Sequence, residues 1–127
     1  MYLTQYQGLH RLLLVFAPST SDERHAKQER LFSGEETGFK DRELLLMRLL
    51  EDGEGDAAGC PATPEAAASV RREYGVEDGR FAIALVGKDG GIKLRADAPV
   101  AATEIFNRID AMPMRRREMR ERDGGSR

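Results

Sequence analysis

The chain has 127 residues, carries a formal net charge of −2, and is 40% hydrophobic and 33% charged, which fits one ordinary soluble domain with a core of its own. Its longest apolar runs, Leu12 to Ala17 and Phe81 to Val86, fall far below the roughly 20 residues a membrane-spanning helix needs. The one cysteine, Cys60, excludes an internal disulfide, a CxxC pair and a multi-cysteine metal site within one chain.

The opening segment MYLTQYQGLHR lacks the basic region, apolar core and cleavage site of a secretion signal. The expected location is therefore the cytoplasm for the chain as given, or outside the cell if a leader has been removed. The run RLLLVFA from Arg11 to Ala17 is apolar on consecutive residues and predicts a strand buried on both faces. Pro18 ends it, and the cluster Ser19, Thr20, Ser21 and Asp22 predicts a helix start. That helix is expected to reach about Gly34, with Ala26, Arg30 and Leu31 on one stripe.

A second strand is expected from Glu43 to Leu50, followed by the loop EDGEGDAAGCPATP, rich in glycine and acid. Thr63 before Pro64 and Glu65 starts a helix that runs to about Tyr74 and stops at Gly75. FAIALV (Phe81 to Val86) and IKLR (Ile92 to Arg95) flank Asp89-Gly90-Gly91, the signature of an antiparallel hairpin. Pro99 breaks the edge. A closing helix from Thr103 to Ala111 places Ile105, Phe106 and Ile109 on one face, with a kinked or separate continuation past Pro113.

The order β-α-β-α-β-β-α predicts a thioredoxin-like α/β fold. Its mixed central sheet would carry helices on both faces, with the first helix-joined strands parallel and the last hairpin antiparallel. The domain is expected over residues 1–119, with 120–127 as a flexible charged tail. Charge is laid out unevenly: Glu51, Asp52, Glu54 and Asp56 make an acidic middle, and Arg115, Arg116, Arg117, Arg120 and Arg122 a basic end.

Three motifs in order, RLLLVFAPS (Arg11 to Ser19), LVGKDGGIKLR (Leu85 to Arg95) and IDAMPMRRREM (Ile109 to Met119), resemble the signature of the domain family DUF4174. The resemblance spans about Leu3 to Met119. It implies kinship with the related domain of vertebrate extracellular sushi-repeat and coiled-coil-containing proteins, which has been likened to peroxiredoxins. It implies a fold and no established activity. A peroxiredoxin holds its reactive thiolate at the N-terminus of the first helix, where dipole and arginine lower its pKa. Here Pro18, Ser19, Thr20, Ser21 and Asp22 fill that place, and a hydroxyl cannot substitute for the thiolate. The cis-proline position of thioredoxins is also unfilled, since Asp78-Gly79-Arg80 precedes Phe81.

No residue is assigned a catalytic role. The Ser19, Thr20, Ser21 and Asp22 loop is a candidate anion site, with simple helix capping the favoured reading. Lys88, Lys93 and Arg95 form a candidate positive edge for an anion or partner, set against the ordinary use of edge charges to block aggregation. Arg115, Arg116 and Arg117 are a candidate binding tail, set against a solvated helix with internal ion pairs. Met112 is expected in the core, and with Met114 and Met119 offers an adaptable contact surface. His10 and His25, separated by the first strand, are able to approach each other but lack the ordered acids of a metal site. There is no GxSxG elbow and no P-loop.

The function expected is a cysteine-independent thioredoxin-like binding or interaction module. Its alternative is an oxidoreductase acting through Cys60 or a partner protein. No cofactor or metal is implied. The expected partner is a protein or an anionic ligand, with a homodimer open. The tail has no aromatic residue to stack on bases, which argues against nucleic acid, and no membrane role is implied.

Overall fold

The computed structural model describes residues 3–124, with side chains as far as Glu121. A short 3-10 helix (Leu3–Tyr6) precedes β1 (Arg11–Ala17), α1 (Glu23–Phe32), α2 (Glu36–Asp41) and β2 (Leu44–Leu50). Next come β3 (Asp56–Ala57), β4 (Cys60–Pro61), α3 (Pro64–Glu73), β5 (Ala82–Val86), β6 (Ile92–Ala96), α4 (Ala102–Asp110) and α5 (Pro113–Gly124). The six strands form one mixed sheet in the order β4-β3-β2-β1-β5-β6.

β1 is central, and every one of its residues is buried. Successive strand side chains point to opposite faces, so the uninterrupted apolar run serves two cores at once. Leu13, Val15 and Ala17 pack with Phe32, Phe39, Ile105, Phe106 and Ile109 of α1, α2 and α4. Leu12, Leu14 and Phe16 pack with Ala67 and Val70 of α3 on the other face. β1 and β2 are parallel, as expected for strands joined through helices. β5 follows a helix too, yet runs antiparallel to β1, because the chain re-enters the sheet at Ala82, opposite Phe16 and at the end from which β1 leaves. The β5–β6 hairpin is antiparallel as expected.

α1 buries His25, Gln28 and Phe32, so the expected stripe of Ala26, Arg30 and Leu31 is rotated away from the core. Two polar residues hold core positions here, Gln28 with both ends of its amide satisfied and His25 with its Nε2 buried and not hydrogen-bonded. Gln28 donates from Nε2 to the Val100 carbonyl at 2.7 Å and accepts from the Val100 amide at 2.8 Å, tying α1 to the segment before α4. His25 Nε2 lies 3.5 Å from Glu29 Oε1, beside Arg48, which is hydrogen-bonded to Glu29 and Asp56.

The segment expected to be a loop contains the small β3–β4 hairpin. Its turn residues Ala58 and Gly59 have φ of 54° and 91°. Positive φ at both central residues is what a two-residue hairpin turn demands. The second element missed in the sequence is α2. Its Phe39 packs edge-on against Phe32 and Phe106, at centroid distances of 5.2 and 5.6 Å. The chain past Pro113 forms a separate helix rather than a kinked one, with proline at its first residue.

Candidate functional site

Two ends of the sheet carry the candidate residues. At the upper end, where β1 finishes, Asp22 caps α1. Its carboxylate accepts from the amides of Arg24 and His25, and it is bridged by the Arg24 guanidinium at 2.7 Å. That guanidinium, with the backbone amides, holds the Asp22 carboxyl below the usual carboxylate value. Ser19 and Ser21 bond to each other through their hydroxyls at 2.9 Å, and Thr20 is exposed. The positive end of α1 is thus occupied by the chain's own carboxylate. Beside it lies an open cleft of about 590 Å3 whose polar walls include Arg24, Arg80, Arg95, Glu77 and Asp97.

The three hairpin cations do not make one edge. Lys88 is buried and ion-paired to Glu118 at 2.7 Å and Glu43 at 3.4 Å. Lys93 pairs with Asp89 across the turn at 2.8 Å, and Lys93, together with the Gly91 amide, keeps the Asp89 carboxyl low. Arg95 is at the upper end, where it donates to the Tyr74 carbonyl and lines the cleft beside Arg24. Burial of the Lys88 ammonium is the physical reason for the difference, since an ammonium taken from water has to find carboxylates.

The lower end holds what sequence reasoning missed. Arg11 opens β1 on the same face as Leu13, and only 1% of its surface is exposed. Its Nη1 and Nη2 donate to the two oxygens of Glu118 on α5, each at 3.2 Å, and Nη1 also donates to the Arg42 carbonyl at 2.9 Å. Arg115 is 3% exposed and bridges Asp41 at 2.8 Å and Asp110 at 3.1 Å. Arg42 meets Asp110 through both carboxylate oxygens and stacks over the Phe106 ring at 4.1 Å. Arg115 is therefore a docking residue of α5 and not a free ligand-binding cation. Arg116 and Arg117 remain exposed on the outer face. The expected solvated tail is half docked, through ion pairs with the rest of the domain as well as the longer internal one, Arg115 to Glu118 at 4.0 Å.

Burial opposes ionisation of Asp110, but hydrogen bonds from Arg42 and Arg115, and their charges, outweigh it and hold the carboxyl below its usual value. Glu118 is likewise held low against its burial by Lys88 and Arg11. A carboxyl lowered in the folded state contributes stability that is complete above its unfolded pKa and lost as pH falls towards the folded one. The urea midpoint is therefore expected to fall steadily from about pH 5 to about pH 3. In Asp110→Asn it should fall less over that window. Parallel curves for the two proteins would assign the acid sensitivity elsewhere.

Against this network lies a second cleft, of about 330 Å3, between the β5–β6 turn and the α4–α5 junction. Its lining brings together the cations Arg11, Lys88, Lys93 and Arg108, the acid Asp89 and the apolar run Ala111, Met112, Pro113 and Met114. Met112 is half-buried against the core, as expected, and Met114 is exposed. Arg11 Nε is buried without a hydrogen-bond partner.

His10 and His25 line separate cavities and are not brought together. Among the described residues, no group of three or more His, Cys, Asp or Glu side chains could hold a metal ion. Also among these, no helix is long and apolar enough to cross a membrane. Cys60 is exposed on β4, the edge strand, with β3 and β2 between it and β1 in the sheet order.

The residues that build the lower end all lie inside one domain model, "Domain of unknown function (DUF4174)", which matches residues 2–118. The chain belongs to the DUF4174 family. Arg11, Lys88, Asp110, Arg115 and Glu118 come from the three motifs RLLLVFAPS, LVGKDGGIKLR and IDAMPMRRREM, so these motifs meet in space as an ion network. The fold of this DUF4174 chain is similar to that of solved peroxiredoxins. The reduced 2-Cys peroxiredoxin of Plasmodium vivax matches with a TM-score of 0.66 at 18% identity, over 91% of this chain and 84% of that one. Thioredoxin peroxidase I of Plasmodium yoelii gives 0.64 at 18% identity, over 91% and 79%. AhpC of Mycobacterium tuberculosis gives 0.60 at 15%, over 84% and 71%. At such identities the likeness is one of fold.

Proposed function

We propose that this DUF4174 chain is a binding module on a peroxiredoxin-like fold that works without thiol chemistry. The observation that carries this reading is the occupant of the α1 N-terminus. There the Asp22 carboxylate takes the amides and the arginine that would otherwise stabilise a thiolate. An added anionic nucleophile at that place would meet a charge of its own sign. Cys60, the one thiol, is exposed on an edge strand, and with no second cysteine it forms a disulfide only with another molecule. The motif residues support the same reading, since they are invested in docking α5 at the opposite end of the sheet.

The test is peroxide consumption in the presence of excess dithiothreitol, measured for wild-type protein and Cys60→Ser. Both are expected to consume hydrogen peroxide no faster than an equal concentration of free cysteine. A faster wild-type rate that Cys60→Ser abolishes would overturn the reading in favour of an oxidoreductase acting through Cys60.

A further inference from the structure

The lower cleft has the composition of a ligand site, and its charge count specifies the ligand. Four cations border it, namely Arg11, Lys88, Lys93 and Arg108. The acids that answer them are Glu118, which serves Arg11 and Lys88, Glu43, which adds a longer contact to Lys88, and Asp89, which pairs with Lys93. Arg108 donates to the Lys93 carbonyl, and among the described residues it has no ion pair. Four positive charges against three negative leave one unmatched, which a monoanion would neutralise.

The donors point to the same class. Arg11 is a charged side chain with 1% of its surface exposed, it lines the cleft, and its Nε has no acceptor. Its Nε–H is therefore left over after Glu118 and the Arg42 carbonyl have taken Nη1 and Nη2. A buried charged donor without an acceptor is costly, and a planar two-oxygen group matches a guanidinium edge. α5 begins at this wall with Pro113 and has no acid in its first turn, so its positive end adds to the field. The remaining wall is apolar, with Met112 and Met114 able to adapt to the shape of a hydrocarbon body. A volume of about 330 Å3 is at the lower end for ligand pockets.

We infer that the cleft between the β5–β6 turn and the start of α5 binds a small organic monocarboxylate, its carboxylate held by Arg11 and Arg108 and its apolar body against Met112, Pro113 and Met114. This rests on the binding-module reading and supplies that module with a ligand class.

The probes are hexanoate, benzoate, the neutral hexanamide and inorganic phosphate, titrated calorimetrically at low ionic strength into wild type, Cys60→Ser, Arg108→Gln and Met114→Glu. Arg108 and Met114 are both exposed, so these variants leave the core intact. The expected result is binding of at least one of the two carboxylates to wild type and Cys60→Ser alike. Arg108→Gln, which removes one ionic contact, and Met114→Glu, which sets a carboxylate against the apolar body of an anionic ligand, should each weaken it at least about tenfold. Hexanamide binding as tightly as hexanoate would overturn the role of the cations, and phosphate binding as tightly as either carboxylate would overturn the role of the apolar wall. Unchanged binding in both cleft variants, or no binding of either carboxylate, would overturn the site. Failure of the binding-module reading is separate, because it shows as Cys60-dependent peroxide consumption whatever the calorimetry gives.

Discussion

Replacing Glu118 by alanine is expected to destabilise the protein by about 3 kcal/mol, in the range for breaking a buried ion pair from one side. The size follows from how many cations depend on that one carboxylate. It accepts from both terminal nitrogens of Arg11 and from Lys88 Nζ, and Arg115 Nη1 stands 4.0 Å away. Arg11, Lys88 and Arg115 side chains are 1%, 7% and 3% exposed, so each would lose a carboxylate partner at a largely desolvated position. After truncation Arg11 keeps only the Arg42 carbonyl among its present partners, and Lys88 keeps the half-exposed Glu43. Urea unfolding followed by circular dichroism measures the loss. Glu118→Gln, which preserves shape and one acceptor, should lose less. The double variant Arg11→Met, Glu118→Leu should recover part of the stability, because removing both charges leaves Arg11's place without an unpaired ion. A loss below about 0.5 kcal/mol for Glu118→Ala, the usual spread of surface substitutions, would mean that α5 is not held to the sheet by this carboxylate.

What the sequence disclosed and what it hid divide along a physical line. β1 was legible because six consecutive apolar residues need burial on both faces, and α3 because Thr63 accepts from the Ala66 amide in front of a first-turn proline. Asp22 was legible as a cap for the same local reason. The lower end was not, because its logic is pairing between residues far apart in the chain: Arg11 with Glu118, and Arg115 with Asp41. Read alone, Lys88 and Arg115 are surface charges. One signal was present. Arg11 leads directly into a strand with no exposed residue, and Glu118 interrupts an arginine run, so a buried cation and a carboxylate to answer it could have been sought together. In α1, a histidine and a glutamine occupy core positions, which defeated a stripe drawn from chain polarity. The β3–β4 hairpin was hidden by its brevity, two residues a strand, inside a segment whose glycines read as loop.

Gly55, just before that hairpin, is the position at which one added methyl should do most harm. It is buried, and a Cβ built on it would stand 2.0 Å from the Arg48 carbonyl oxygen, 2.9 Å from the Arg48 carbonyl carbon and 3.1 Å from the Leu50 nitrogen. All three atoms are backbone of β2, the strand paired along its length with β1, so no side-chain rotation relieves the clash. Gly55→Ala is expected to cost about 3 kcal/mol, the upper part of the range for overpacking a site that cannot yield. The damage should also reach the hairpin, since the Gly55 carbonyl accepts from the Ala62 amide and Asp56 next to it bridges Arg48 at 2.9 Å. Gly59 supplies the contrast. Its φ is 91°, but nothing lies within 4 Å of a Cβ there, so Gly59→Ala meets conformational strain alone and should cost about 1 kcal/mol. Urea midpoints of the two variants, with limited proteolysis of the 51–63 segment, separate steric conflict from backbone conformation. Gly55→Ala should be the less stable and the more readily cleaved. Equal losses would mean that β2 yields to the methyl group, and that the close approach of the two backbones is not what requires glycine there.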